Sequence, residues 1–242
     1  MKHPVVHFEF TTADPEALGK FYSDLFGWKT QTVPGDYVLV DTASGKGING
    51  GIGKGDTNST TVYIQADDLD AALAKIEELG GKTVTPVTTI PDMVTFATFT
   101  DLAGNLIGLV KSEPGSDAPG VSPGDNSQVD WFEILGKDGK ALKQFYVDAF
   151  GWDLADSGAE GFDYFMLQTP EAGIPGAVGS TPEGQPTVRF YAAVAPELQP
   201  VLDKAEPLGA KTVMEPTKVA EETEIAIFVD PQGNQFGIYK GM

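Results

Sequence analysis

His7 and Glu9 stand two residues apart in the run VVHFEF, and Glu133 occupies the matching point of a similar run, VDWFEI. Side chains two apart on a β-strand share a face, so this imidazole and carboxylate would project together. A histidine titrates near neutral pH and can give or take a proton. A glutamate on an apolar strand is partly desolvated, which raises its pKa and suits a general base or a cation anchor. Both carboxylates also fit a plainer role, as struts hydrogen-bonded to their neighbours. His7 is one of two histidines in the chain, and there is no cysteine. Disulfides, thiolate metal sites and a cysteine nucleophile are thereby excluded. The glycine-rich GKGINGGIGKG lacks the strand–loop–helix context and G-K-[ST] ending of a phosphate loop, so it reads as a strand with bulges.

The elements that must carry these residues come in repeats. FYSDLFGW (21–28) returns as FYVDAFGW (145–152), and FTDLAGNLIGLVK (99–111) returns as FVDPQGNQFGIYK (228–240). LGGKTV and INGGIG recur as LGAKTV and IPGAVG, in the same order, which marks a tandem duplication. The stretch between the copies is rich in Pro, Gly, Ser and Asp. It divides the chain into domains at 1–112 and 129–242 with a linker over 113–128. Leu18, Phe21, Tyr22, Leu25 and Phe26 recur at helical spacing, with Asp14 as N-cap, Pro15 at the first position and Gly27 as the stop. Leu142, Phe145, Tyr146, Ala149 and Phe150 repeat that stripe before Gly151. Second helices follow at Leu69–Leu79 and Leu198–Leu208, the latter shortened by Pro200 and Pro207. A strand-like run precedes each helix and alternating runs follow it, giving β-α-β-β-β four times. Trp28 and Trp152, just past their helix stops, are expected to plug the core.

The 242 residues suffice for two domains with real cores, and a net charge of −19 repels nucleic acid. No run approaches the roughly 20 apolar residues needed to cross a bilayer, and the N-terminus carries no signal-like segment. A soluble, cytoplasmic protein that binds neither nucleic acid nor membrane is the expectation.

The early strand followed by D…FY…FGW, the DLD…LGGK segment and the D-x-x-G-N turn resemble the vicinal oxygen chelate superfamily. That superfamily includes glyoxalase I, bleomycin-resistance proteins and extradiol dioxygenases, and the chain looks closest to its tandem glyoxalase-like "hydroxylase" branch. The resemblance implies an α+β fold. In each domain two βαβββ modules would form a cup-shaped, partly open mixed β-barrel with helices outside and a ligand in the cup. Metal-using members take His, Glu or Gln ligands from the first, fourth, fifth and eighth strands. Here those places carry His7, then Thr61 and Gly108, in the first half, and Trp131, Arg189 and Gly237 in the second. The fourth strands offer no donor at all. A protonated guanidinium cannot ligate, so no metal and no other cofactor is expected.

Taking the ligand face as inward, strand alternation lines the cups with His7, Glu9, Thr61 and Tyr63, and with Trp131, Glu133, Arg189 and Tyr191. Tyr37 and Tyr164, on the third strands, are further candidates. Trp131, Tyr63 and Tyr191 would offer flat walls to a planar ligand, and Arg189 would clamp an anion or pair with Glu133. The first reading is a metal-independent small-molecule binder of bleomycin-resistance type, taking an aromatic or carbonyl compound. Next comes a metal-free lyase, isomerase or ring-modifying enzyme with Glu9 or Glu133 as base and His7 or Arg189 steadying negative charge. The third is a metal-dependent glyoxalase or dioxygenase. The partner expected is a small molecule, and the repeat suits a monomer with an internal pseudo-dimer or a weak homodimer.

Overall fold

A computed structural model of the chain describes residues 3–111, 121, 124–167, 173–194 and 196–241. Most of the expected linker, 113–120 and 122–123, lies outside the described residues. The first half runs β1 (Val5–Thr12), α1 (Pro15–Phe26), β2 (Lys29–Val33), β3 (Tyr37–Asp41), β4 (Gly50–Lys54), β5 (Ser59–Ala66), α2 (Leu69–Glu78), β6 (Lys82–Ile90), β7 (Val94–Thr100) and β8 (Leu106–Lys111). The second half repeats it. Its first module is β9 (Val129–Gly136), α3 (Gly139–Phe150), β10 (Leu154–Asp156), β11 (Tyr164–Leu167) and β12 (Gly176–Ser180). Its second is β13 (Thr187–Ala193), α4 (Gln199–Ala205), β14 (Lys211–Lys218), β15 (Glu224–Val229) and β16 (Gln235–Lys240).

The caps of α1 act as the sequence predicts, and α3 is capped in the same way. Asp14 accepts from the Ala17 amide at 3.0 Å and Gly27 closes α1 at φ 77°. Asp138 does the same for α3 at Ala141, 2.9 Å, with Gly151 at φ 65°. In α4 the two prolines leave seven helical residues and a 3₁₀ turn over Glu206–Leu208.

Each half forms one eight-stranded mixed sheet, ordered β2-β3-β4-β1-β5-β8-β7-β6 and β10-β11-β12-β9-β13-β16-β15-β14. The parallel pairs are β1–β4, β5–β8, β9–β12 and β13–β16, one per module. The sheets are open rather than closed barrels, and the fold is α+β with two tandem domains. No helix among the described residues is long and apolar enough to cross a membrane.

Packing follows a different partition from the sheets. By proximity the chain separates into two compact units, each taking one module from each half. One comprises Met1–His7, Thr61–Pro119 and Trp131–Val188; the other comprises Phe8–Thr60, Gly120–Asp130 and Arg189–Met242. The repeated FY…FGW motif explains why. In the second unit the Tyr22 hydroxyl donates to Asp230 Oδ2 at 3.1 Å, reaching the D-x-x-G-N turn of the other half. Tyr22 is stacked on Phe10 and Trp28, at 5.1 and 5.3 Å between ring centres, and Phe26 and Phe236 close the cluster. In the first unit Tyr146 donates to Asp101 Oδ2 at 3.0 Å and stacks on Trp152 at 5.0 Å. Both tryptophans are buried, as expected of plugs, and each indole N–H reaches a backbone carbonyl, Trp28 that of Ser127 and Trp152 that of His3. Asn126 bonds the Gly27 carbonyl and Ile48 the Val129 carbonyl, so the described end of the linker is fastened to the second unit.

Asp101 also accepts from the Ala103 and Asn105 amides and from Asn105 Nδ2; Asp230 accepts the equivalent three from Gln232 and Asn234. Burial pushes both carboxyls above the ordinary value, against the pull of these donors. From the unfolded value of 3.8 up to the raised folded value, the folded chain holds protons that the unfolded chain has released. Stability from these groups is therefore full below that window and declines as pH rises through it. Tyr22→Phe and Tyr146→Phe should each lower the unfolding free energy by about 1–3 kcal/mol in urea titrations, since each leaves a buried carboxylate short of a donor. Asp101→Asn should flatten the pH dependence of stability above pH 3.8.

Candidate functional site

The candidate residues fall into four corners, two in each compact unit. In the first unit, β1 delivers His7 and β5 delivers Thr61 and Tyr63. The His7 ring meets the Tyr63 ring edge-on, 5.6 Å between centres. His7 is half-buried, and loss of water around its ring pushes its pKa down to about 4, so it is neutral at pH 7. That corrects the expectation of a group poised to titrate near neutrality. Thr61 is buried, and its Oγ1 has no hydrogen-bond partner among the described residues.

Tyr63 pairs across the parallel ladder with Gly108 on β8, and its ring lies directly on that glycine: a Cβ there would sit 2.4 Å from the ring. In the second unit Tyr191 on β13 covers Gly237 on β16 in the same way, at 2.1 Å. Both tyrosines are buried, so they serve as fillers of these gaps rather than as the open walls expected of them. A lone glycine gains packing when a neighbouring strand's aromatic ring closes over it.

The glutamates are tied to the third strands. Tyr37 donates to Glu9 Oε2 at 2.9 Å in the second unit, and Tyr164 donates to Glu133 Oε1 at 2.8 Å in the first. Tyr37 and Tyr164 therefore take the faces of their sheets that carry Glu9 and Glu133. The Tyr37 hydroxyl also fills the space above Gly51 on β4. A phenol donating to a carboxylate supplies the strut of the plainer reading. Arg189, half-buried, donates through Nη1 to the Tyr191 hydroxyl at 3.0 Å and through Nη2 to Gln235 at 2.6 Å. Gln235 was not foreseen; its place one strand over from Arg189 needs the register of β13 against β16. Trp131 is half-buried on β9, unlike the other two tryptophans.

A divalent ion does not fit these residues. On the first half's ligand positions only His7 has a donor nitrogen, Thr61 offers a neutral hydroxyl, and the place of a Gly108 side chain is taken by the Tyr63 ring. On the second half's, Trp131 and Arg189 cannot ligate and Tyr191 fills the space at Gly237. Among the described residues no three His, Asp or Glu side chains gather as a metal set.

A family model described as the Glyoxalase/Bleomycin resistance protein/Dioxygenase superfamily matches residues 128–238, and one described as a glyoxalase-like domain matches 6–110. The chain belongs to the glyoxalase/bleomycin-resistance/dioxygenase superfamily. CFP32 of Mycobacterium tuberculosis, named as a candidate glyoxylase, is 26% identical over 245 residues, covering 96% of this chain and 92% of that one. The anthracycline biosynthesis protein DnrV of Streptomyces peucetius is 26% identical over 261 residues, covering 96% and 90%. In fold the chain is similar to the Mn(II)-bound glyoxalase of Novosphingobium aromaticivorans, with a TM-score of 0.73 at 15% identity, covering 98% and 81%. It is likewise similar to the 2,3-dioxygenase LapB of Pseudomonas sp. KL28, with a TM-score of 0.69 at 17% identity, covering 98% and 92%.

Gly108→Ala should cost about 1–3 kcal/mol of stability, because the added methyl displaces the Tyr63 ring. The same change in a Tyr63→Ala background should cost distinctly less, and a double-mutant cycle by urea denaturation measures that coupling.

Proposed function

We propose that this superfamily member binds a small aromatic or carbonyl compound on the inner faces of its sheets without a resident metal. The observation that carries the reading is the pair of tyrosine rings seated on Gly108 and Gly237, where metal-using members place a carboxylate. Filling those places with buried phenol rings removes a ligand position and closes the gap that a metal would occupy. The half-buried Trp131 adds a flat face, and the side chains of Glu9, Glu133 and Arg189 supply polar anchors. The name of the Streptomyces relative, an anthracycline biosynthesis protein, supports a planar aromatic ligand for this chain.

A metal-free reaction with Glu133 as general base is the second reading, favoured by the Tyr164 hydroxyl that holds one of its oxygens in place. Under that reading Glu133→Gln abolishes turnover of a carbonyl substrate and leaves its binding nearly unchanged; equal loss of both returns the site to a binder.

Elemental analysis of the purified protein should find far less than one manganese, iron, nickel or zinc per domain, and one tightly held ion per domain would overturn the proposal. Planar aromatic compounds should quench the emission of Trp131. Trp131→Phe should remove that quenching while the signal of the buried Trp28 and Trp152 persists.

A further inference from the structure

We infer that the first half's inner face takes an uncharged ligand, whose carbonyl oxygen accepts a hydrogen bond from the buried Thr61 hydroxyl. The inference rests on the binding reading above and adds the ligand's class. Buried hydroxyls in folded proteins nearly always find a partner, because stranding one forfeits the hydrogen bonds it made with water. Thr61 is 1% exposed and its Oγ1 finds none among the described residues. Its face of β5 is the one that carries Tyr63, about 7 Å along the strand, and the edge of the His7 ring lies against Tyr63. A hydroxyl can donate to a carbonyl oxygen without bringing a charge of its own. Beside it stand a phenol and an imidazole, flat groups that pack against an aromatic ring.

The repeat sharpens the assignment. The residue equivalent to Thr61 in the second half is Arg189, whose guanidinium suits an anionic oxygen. The two halves therefore differ at this point, with the neutral donor at Thr61. Valine has the shape of threonine with a methyl for the hydroxyl, which makes Thr61→Val the direct test.

Calorimetric titration of the full chain with 2-acetylnaphthalene, and with its oxygen-free counterpart 2-ethylnaphthalene, reads the hydroxyl's part. The wild-type chain should bind the acetyl compound about fivefold to tenfold more tightly, the size of one hydrogen bond. Thr61→Val should bind the two compounds alike, and Thr61→Ser should keep the preference. Without ligand, Thr61→Val should unfold at the same or a higher urea concentration, because it removes a stranded polar group. Unfolding at a clearly lower concentration would mean that the hydroxyl is already bonded within the protein, and would overturn the inference. Equal binding of both compounds by wild type and Thr61→Val would overturn it too while leaving the binding reading intact. Binding of neither compound to the wild-type chain would remove the binding reading and this inference together.

Discussion

Tyr22 and Asp230 lie 208 positions apart in the chain, yet the hydroxyl of one donates a hydrogen bond to the carboxylate of the other in a buried setting. Tyr146 and Asp101 form the same bond in the other unit. A buried carboxylate is tolerated only when its lone pairs are occupied, and here two backbone amides and an asparagine side chain share the work with the tyrosine. The helix that carries the tyrosine must therefore lie over the turn that carries the aspartate. Stacked rings and a tryptophan plug then fill the space around that contact. The bond ties α1 and α3 each to the turn of the other half.

The chemistry of the inner faces is decided by small residues. Gly108 and Gly237 leave gaps that Tyr63 and Tyr191 fill, and Gly51 leaves room for the Tyr37 hydroxyl to reach Glu9. At Gly108 and Gly237 phenol rings take the space of a side chain, and Glu9 and Glu133 are each hydrogen-bonded to a tyrosine. The halves are not copies in this respect: a neutral imidazole and a threonine on one side answer to an indole and a guanidinium on the other.

Much of the fold was legible in the sequence because its signals are local. The cap Asp14, the stops Gly27 and Gly151, the proline-shortened α4 and the four-fold module all depend on neighbours a few residues away. Alternation also states which side chains of one strand share a face. What each side chain touches was not legible. The seating of Tyr63 on Gly108 depends on the register of two strands separated by a helix and two further strands. The low pKa of His7 depends on what surrounds its ring in three dimensions. The Tyr–Asp bonds left a trace in the sequence, since the aromatic motif and the D-x-x-G-N turn repeat together. Nothing in a linear pattern says that each motif pairs with the other half's turn.

That crossed pairing bears on how such a chain can be taken apart. Sheets divide it at the linker, but cores divide it so that neither half owns the aspartate its first helix needs. A half released on its own would present a bare aromatic helix face and a carboxylate shorn of its phenol. Two such halves, whether joined or separate, are each other's missing interior. The duplication thus leaves each half dependent on the other for its interior, and that dependence holds even where the two copies differ in sequence.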